Sequence, residues 1–305
     1  MPWPVYYLIS GEAFATGLWM SLMAILLTLH HRAWTLRIAL MLHIIGVLLI
    51  ISSSSTMKIT GHVLTIAWPF LAMLQARQAT QQPSKTDAQK QPDALGFTPR
   101  QRRSAHYSTV FTGVVLTALF LGTSFENARI PTVVLPPNTP IHVIGDSLSA
   151  ASDDGTPTWP ELLAEQIGRP VTVHARAGST TADAMKQATG LPADCCVLIE
   201  IGGNDLLSGE SSTRFADDLD TLLQKVCADG RAVVMFELPL PPFCNGYALA
   251  QKRLSSEFDT RLIPRGVLAS VFYPDANTVD SLHLSAAGHR DLADRLRPIF
   301  ERSGR

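Results

Sequence analysis

The chain has 305 residues, of which 46% are hydrophobic and 17% charged, with a net charge of −1 and a positive mean hydropathy of +0.15. Soluble globular proteins carry about a quarter charged residues, so one water-soluble domain is not expected, and the length suggests roughly two domains. The apolar content excludes disorder, 20 Gly and 4 Cys exclude a collagen-like or disulfide-framework class, and the lack of basic excess excludes a general nucleic-acid binder.

The near-neutral total hides an asymmetry, because residues 1–125 hold nine Lys/Arg and three Asp/Glu whereas 126–305 hold sixteen and twenty-three. Four intervals of the first part, 13–31, 38–57, 59–76 and 104–125, contain no Asp, Glu, Lys or Arg. A bilayer core about 30 Å thick takes about 20 apolar residues in a helix, so each interval is long enough to span. The sequence predicts an all-α transmembrane region over 1–125, with helices near 8–29, 36–54, 59–76 and 108–125. The third carries His62 and Pro69 and reads either as a span or as an interfacial or re-entrant segment. His43 and His62 fall inside these segments, where ionisable groups are functional suspects; a neutral imidazole tolerated near an interface is the alternative. No Lys or Arg precedes the first apolar run, which argues against a cleavable signal peptide.

Lys and Arg collect at the cytoplasmic ends of membrane helices. The segment 77–106 carries Arg77, Lys85, Lys90, Arg100, Arg102 and Arg103 among Gln and Pro, and reads as a flexible cytoplasmic loop. The turn with Arg32 and Arg37 is then cytoplasmic and the turn with Lys58 external. The N-terminus and everything after Phe125 lie on the non-cytoplasmic side, the periplasm if the membrane is a bacterial inner membrane.

After a linker over 126–139 the texture changes. Strands are predicted at 141–144, 171–174, 196–201 and 232–237, and helices at 159–167, 181–187, 214–227, 248–262 and 285–296, the last stopped by Pro298. Strands separated by single helices imply right-handed crossovers and a parallel sheet with helices on both faces. In such α/β folds functional residues gather where strands end and helices begin.

Three strand ends carry such chemistry: Gly145-Asp146-Ser147-Leu148-Ser149, Ala177-Gly178-Ser179-Thr180 and Gly202-Gly203-Asn204-Asp205. Asp280-Ser281-Leu282-His283-Leu284 stands just before the last helix. A Ser at a strand-to-helix junction needs a base to become a nucleophile. His283 can be that base, and Asp280 can hold the other ring nitrogen in the right tautomer. The N–H groups of Ser147 and Gly178 and the amide of Asn204 could form an oxyanion hole, with glycine at 178 leaving the backbone approachable.

These four blocks, in this order, resemble the SGNH (GDSL) hydrolases over essentially all of 140–305. The runs 145–150, 159–163 and 199–206 are most similar to the bacterial thioesterase/lysophospholipase branch. The resemblance implies a flavodoxin-like sheet and a Ser–His–Asp esterase, with Ser147, Gly178, Asn204 and His283 as the namesake residues. The family's second block carries Asn several residues before its Gly, whereas here His174, Ala175, Arg176 and Ala177 precede Gly178. There is no Gly-x-Ser-x-Gly elbow of the α/β-hydrolase kind.

The expectation is a membrane-anchored serine ester hydrolase with catalytic Ser147, Asp280 and His283 and an oxyanion hole of Ser147, Gly178 and Asn204. The linker of about 15 residues reaches at most about 50 Å, which keeps the site near the membrane and favours lipid acyl esters or other envelope esters. The alternatives are an O-acetyl esterase or acyltransferase on envelope polysaccharide, and a non-catalytic membrane scaffold with a degenerate hydrolase-like domain. No cofactor or metal is implied, and the partners are an acyl-ester substrate and membrane lipid, with no nucleic acid and no protein partner identified. Other polar residues have plainer readings: Asp205 as a turn former, Asp146 as a hydrogen-bond acceptor, His289 as a helix residue, and His174 and Arg176 as strand-end residues. Cys195, Cys196, Cys227 and Cys244 lack CxxC spacing, and a bridge from Cys195 or Cys196 to Cys227 is feasible.

Overall fold

Three helices open the chain: α1 (Trp3–Ile9), α2 (Glu12–Leu27) and α3 (Ala33–Ser53). They belong to a computed structural model that describes residues 1–28, 33–53, 107, 110, 111, 113, 114, 129–151, 155–228, 230–280 and 282–300. The chain divides into two units, Met1–Gly11 with Ala128–Arg305, and Glu12–Asn127. The first eleven residues thus group with the C-terminal unit, not with the region expected over 1–125. There Tyr6 of α1 packs its ring 4.9 Å from that of Tyr273. Gly11, at φ +91, cannot continue a helix, so the helix expected near 8–29 begins at Glu12.

In the helical unit α2 and α3 approach so closely that a Cβ on Gly17 would lie 2.5 Å from the Gly46 carbonyl oxygen, and one on Gly46 would lie 2.7 Å from that of Gly17. Glycines allow this approach, as in membrane helix pairs, while Met23, Met41, Ile44 and Leu48 are exposed. Within α3, Trp34–Ser52, 19 residues of mean hydropathy 2.2, is the one helix among the described residues long and apolar enough to cross a membrane; α1 and α2 qualify only taken together as a bent pair. The helices expected at 59–76 and 108–125 and the loop 77–106 lie outside the described residues, apart from isolated positions between 107 and 114.

The second unit runs β1 (Ile141–Gly145), α4 (Trp159–Ile167), β2 (Val171–Val173), α5 (Thr181–Gln187), β3 (Cys196–Glu200), α6 (Gly203–Leu207), α7 (Ser212–Cys227), β4 (Ala232–Phe236), α8 (Asn245–Glu257), β5 (Arg261–Ile263), α9 (Arg265–Phe272) and α10 (Ala286–Phe300). The strands form one sheet in the order β2-β1-β3-β4-β5, and every pairing is parallel. This is the doubly wound α/β order of flavodoxin-like folds. β1 and β3 are buried at every position because both faces are covered. Alternate residues serve the two faces: Val143, Leu198 and Val234 pack with Trp159, Leu268 and Leu296 of α4, α9 and α10. Ile144, Ile199 and Met235 pack with Ala184, Leu222 and Leu254 of α5, α7 and α8.

Three local expectations change. The helix predicted over 248–262 ends at Glu257, where Asp259, at φ +48, turns the chain into β5. Neither β5 nor α9 was expected. α10 runs through Pro298 to Phe300, because Ile299 and Phe300 are fully buried and a proline in the last turn forfeits only one helical bond. All four cysteines are free thiols. Cys196 faces the α4 side of the sheet and Cys227 packs on the opposite side, so the strand's pleat keeps that pair apart, while Cys195, on the Cys227 side, donates its thiol to the Pro192 carbonyl instead. Burial pushes the Cys196 thiol up to about 12 and that of Cys227 up to about 11.

Candidate active site

The carboxyl ends of β1, β2 and β3 build one side of the site. β1 closes on Gly145, where a Cβ would lie 2.8 Å from Ser149 Oγ and 2.9 Å from the Glu200 carbonyl oxygen, so the following turn can fold under the sheet only with glycine. In that turn the Ser149 and Ala150 N–H groups donate to the Asp146 carbonyl, and the Leu148 N–H donates to Asp146 Oδ1 at 3.0 Å. Trp159 fastens the turn from α4 by donating its indole N–H to the Leu148 carbonyl at 3.0 Å. Ser147, half-buried at the apex, has no hydrogen-bonding partner for its hydroxyl or its N–H among the described residues.

Gly178, at φ +76, sits in an exposed turn where a Cβ would meet nothing, so glycine serves backbone conformation there. Its N–H likewise has no protein acceptor among the described residues. Gln187, the last residue of α5, ties this turn to β1: its side chain accepts from the Gly145 N–H at 2.9 Å and donates to the Gly145 carbonyl at 2.9 Å and to Ser179 Oγ at 3.0 Å. Asn204 of α6 donates from Nδ2 to the Ser179 carbonyl at 2.9 Å and to Asp146 Oδ2 at 3.2 Å. One amide therefore bridges the neighbour of Ser147 and the neighbour of Gly178. Asp205, beyond a turn former, accepts from the Thr181 N–H at 2.9 Å and hydroxyl at 3.2 Å. It anchors α5 to α6, and burial pushes its carboxyl up against those two hydrogen bonds.

The other side of the site is the loop before α10. A bridge between Thr278 and Leu284 and the bond from the Val279 N–H to the His283 carbonyl at 3.0 Å close it into a tight turn. Asp280 Oδ2 lies 2.7 Å from His283 Nδ1, and Asp280 Oδ1 accepts from the His283 N–H at 2.7 Å and the Leu282 N–H at 3.0 Å. The His283 side chain and these two N–H groups hold the exposed Asp280 carboxyl down to about 2. An ionised carboxylate only accepts, so the proton of the neutral ring resides on Nδ1 and Nε2 keeps its lone pair.

The structure thus joins His283 to Asp280 and Asn204 to both flanking turns, and His283 lies near enough to favour the Asp146 charge electrostatically. It does not place His283 within hydrogen-bond distance of Ser147 Oγ; such contacts commonly tighten only with substrate bound. His174 pairs with His142 at 2.8 Å between ring nitrogens, and His289 accepts from the Trp159 N–H at 3.2 Å. Gln187 escaped the sequence reading, and Glu200 and Trp159 entered it only within the runs 159–163 and 199–206, with no role assigned. Only Glu200 left a signal, a lone acid inside the apolar run 196–201. Among the described residues no group of three or more His, Cys, Asp or Glu could hold a metal ion.

The profile of the GDSL-like Lipase/Acylhydrolase family matches residues 143–290. Esterase TesA of Pseudomonas aeruginosa is 28% identical over 173 residues, which cover 52% of this chain and 86% of that protein. Thioesterase 1/protease 1/lysophospholipase L1 of Escherichia coli K12 is 26% identical over 163 residues, 50% and 78% of the two chains. A crystal structure of TesA aligns with 25% identity and a TM-score of 0.49 over 53% of this chain and 97% of its own. Residues 143–290 of the α/β unit match a GDSL/SGNH hydrolase domain, and the relatives' names support an esterase of that kind.

Proposed function

We propose that Ser147, His283 and Asp280 form the catalytic triad of an ester hydrolase, with the Ser147 and Gly178 N–H groups and the Asn204 amide as its oxyanion hole. The observation that carries this reading is the pair of backbone N–H groups left without acceptors among the described residues, on the two turns that Asn204 joins. His283 Nε2 takes the proton from Ser147 Oγ as the oxygen attacks the acyl carbonyl. The resulting oxyanion receives hydrogen bonds from the two N–H groups and shares the Asn204 hydrogen whose present bond to Asp146, 3.2 Å, is the longer of its two. His283 then protonates the departing alkoxide. Water, deprotonated by the same Nε2, releases the acid and regenerates Ser147.

For the substrate we infer acyl esters of membrane lipids. Exposed Leu207, Phe243, Val279 and Leu282 lie on the α6 end, the β4–α8 loop and the His283 loop, an apolar fringe suited to an acyl chain. The E. coli relative's name includes lysophospholipase activity. The apolar α3 and its glycine contact with α2 support membrane anchoring, and the charge pattern of 1–125 favours a non-cytoplasmic hydrolase domain. The test uses the full chain in detergent with p-nitrophenyl esters of graded length. Ser147→Ala retaining native turnover would overturn the triad, and a preference for acetyl over octanoyl esters would overturn the lipid substrate. Release from membranes by alkaline carbonate would overturn the anchoring.

A further inference from the structure

We infer that Glu200 is a positioning residue of this site: a neutral carboxylic acid at the end of β3 that leaves Asp146 the single charged carboxylate behind the Ser147 turn, and so aims the Asn204 amide. The inference rests on the reading of Ser147 and Asn204 given above. Glu200 and Asp146 are 1% and 3% exposed. The β1–β3 register sets Gly145 opposite Glu200, and Asp146 is the first residue beyond β1. Asp146 lies close enough to the Glu200 carboxyl for each of the two acids to act on the other's charge. The hydroxyl of Ser149, fully buried, donates to Glu200 Oε2 at 2.8 Å.

Two carboxylates in contact inside a low-dielectric core cannot both ionise, so the pair carries one proton. Burial pushes the Asp146 carboxyl up as well, against the Leu148 hydrogen bond and the nearby His283, which favour its charge, while Asp205 disfavours it. Asp146 also accepts from the Leu148 N–H and from Asn204 Nδ2. Burial, together with the neighbouring Asp146 charge, pushes the Glu200 carboxyl well up. Asp146 accepts those two hydrogen bonds whereas Glu200 accepts one, from Ser149, so the geometry places the shared proton on Glu200. An ionised acceptor binds and orients an amide more strongly than a neutral one, and the amide it orients is the oxyanion donor.

The test combines kinetics on a short p-nitrophenyl ester with infrared difference spectroscopy, using the full chain in detergent. Glu200→Gln places an N–H where the acid O–H stood and should keep kcat within about threefold of native. Glu200→Leu and Asp146→Asn should each lower kcat by about tenfold or more, with KM within about twofold. The native protein should show a protonated-carboxyl C=O band at neutral pH that Glu200→Gln removes. Equal losses in the Gln and Leu variants would overturn the inference, as would tolerance of Asp146→Asn with loss in Glu200→Gln, or absence of the band. Should Glu200→Leu fail to fold, the Gln and Asn variants still decide. A native protein without esterase activity would overturn the proposed function, and the band would then judge the proton on Glu200 by itself.

Discussion

On the solvent side of the site the Asp280 carboxyl is held down to about 2 by the hydrogen bonds it accepts from His283 and Leu282. On the core side burial and the Asp146 charge push the Glu200 carboxyl well up. Both acids are hydrogen-bonded, so bonding alone does not explain the contrast. Water stabilises the Asp280 charge before any partner is counted, whereas Glu200 has lost its hydration and lies against another acid. The exposed carboxylate can serve as a charged partner to a base; the buried acid can serve as a fixed donor.

The comparison is most severely tested at the residues between the two regions. Ser147→Ala and His283→Ala should each lower kcat by about a thousandfold or more, measured as ester turnover, if both sides serve one reaction. Asn204→Ala should lower kcat by about a hundredfold or more through the lost oxyanion donor. Asp280→Asn should cost about tenfold, less than a buried triad acid, because water can partly replace it at this exposed position; a loss as large as that of His283→Ala would erase the distinction between solvated and buried acids. Because the Asp280 carboxyl is held down to about 2, its ionisation should leave no acid limb in activity above about pH 4.

Smaller effects sharpen the core side through stability. The folded carboxyl of Glu200 is raised, so above the ordinary carboxylate range the unfolded chain has released a proton that the folded chain retains. Stability is thus lost as pH rises toward the folded value. Glu200→Gln should abolish that slope, and its Tm relative to native should climb between about pH 5 and about pH 8. Trp159→Phe, which keeps an aromatic ring but loses the bond to the Leu148 carbonyl and leaves a cavity where the fully buried indole lay, should cost about 2 kcal/mol or more by denaturant unfolding.

How much was legible varies with the range of the interactions. The turns at 145–149 and 202–205 and the Asp280–His283 pair are local, so residue order and spacing announced them. The ends of α4 and α5 matched expectation because Thr158 and Thr180 begin them with capping boxes. β5 was hidden because Arg261–Ile263 has just 3 residues and continues an apparently helical pattern; its place as a strand comes from pairing with β4. The free thiols of Cys196 and Cys227 were equally hidden, since strand pleat and helix placement decide which face each occupies.

By itself the sequence determined a two-part chain, an apolar N-terminal segment followed by an alternating α/β domain, and a set of candidate hydrolase residues at its strand ends and before its last helix. Those properties depend on composition, periodicity and short-range spacing, which linear order expresses directly. Only the tertiary structure decided that Met1–Gly11 groups with the α/β unit, that Asn204 joins the Ser147 and Gly178 turns, and that Glu200 meets Asp146 out of water. Acidity and orientation at those places depend on desolvation and on partners from other strands, which become neighbours only when the sheet forms.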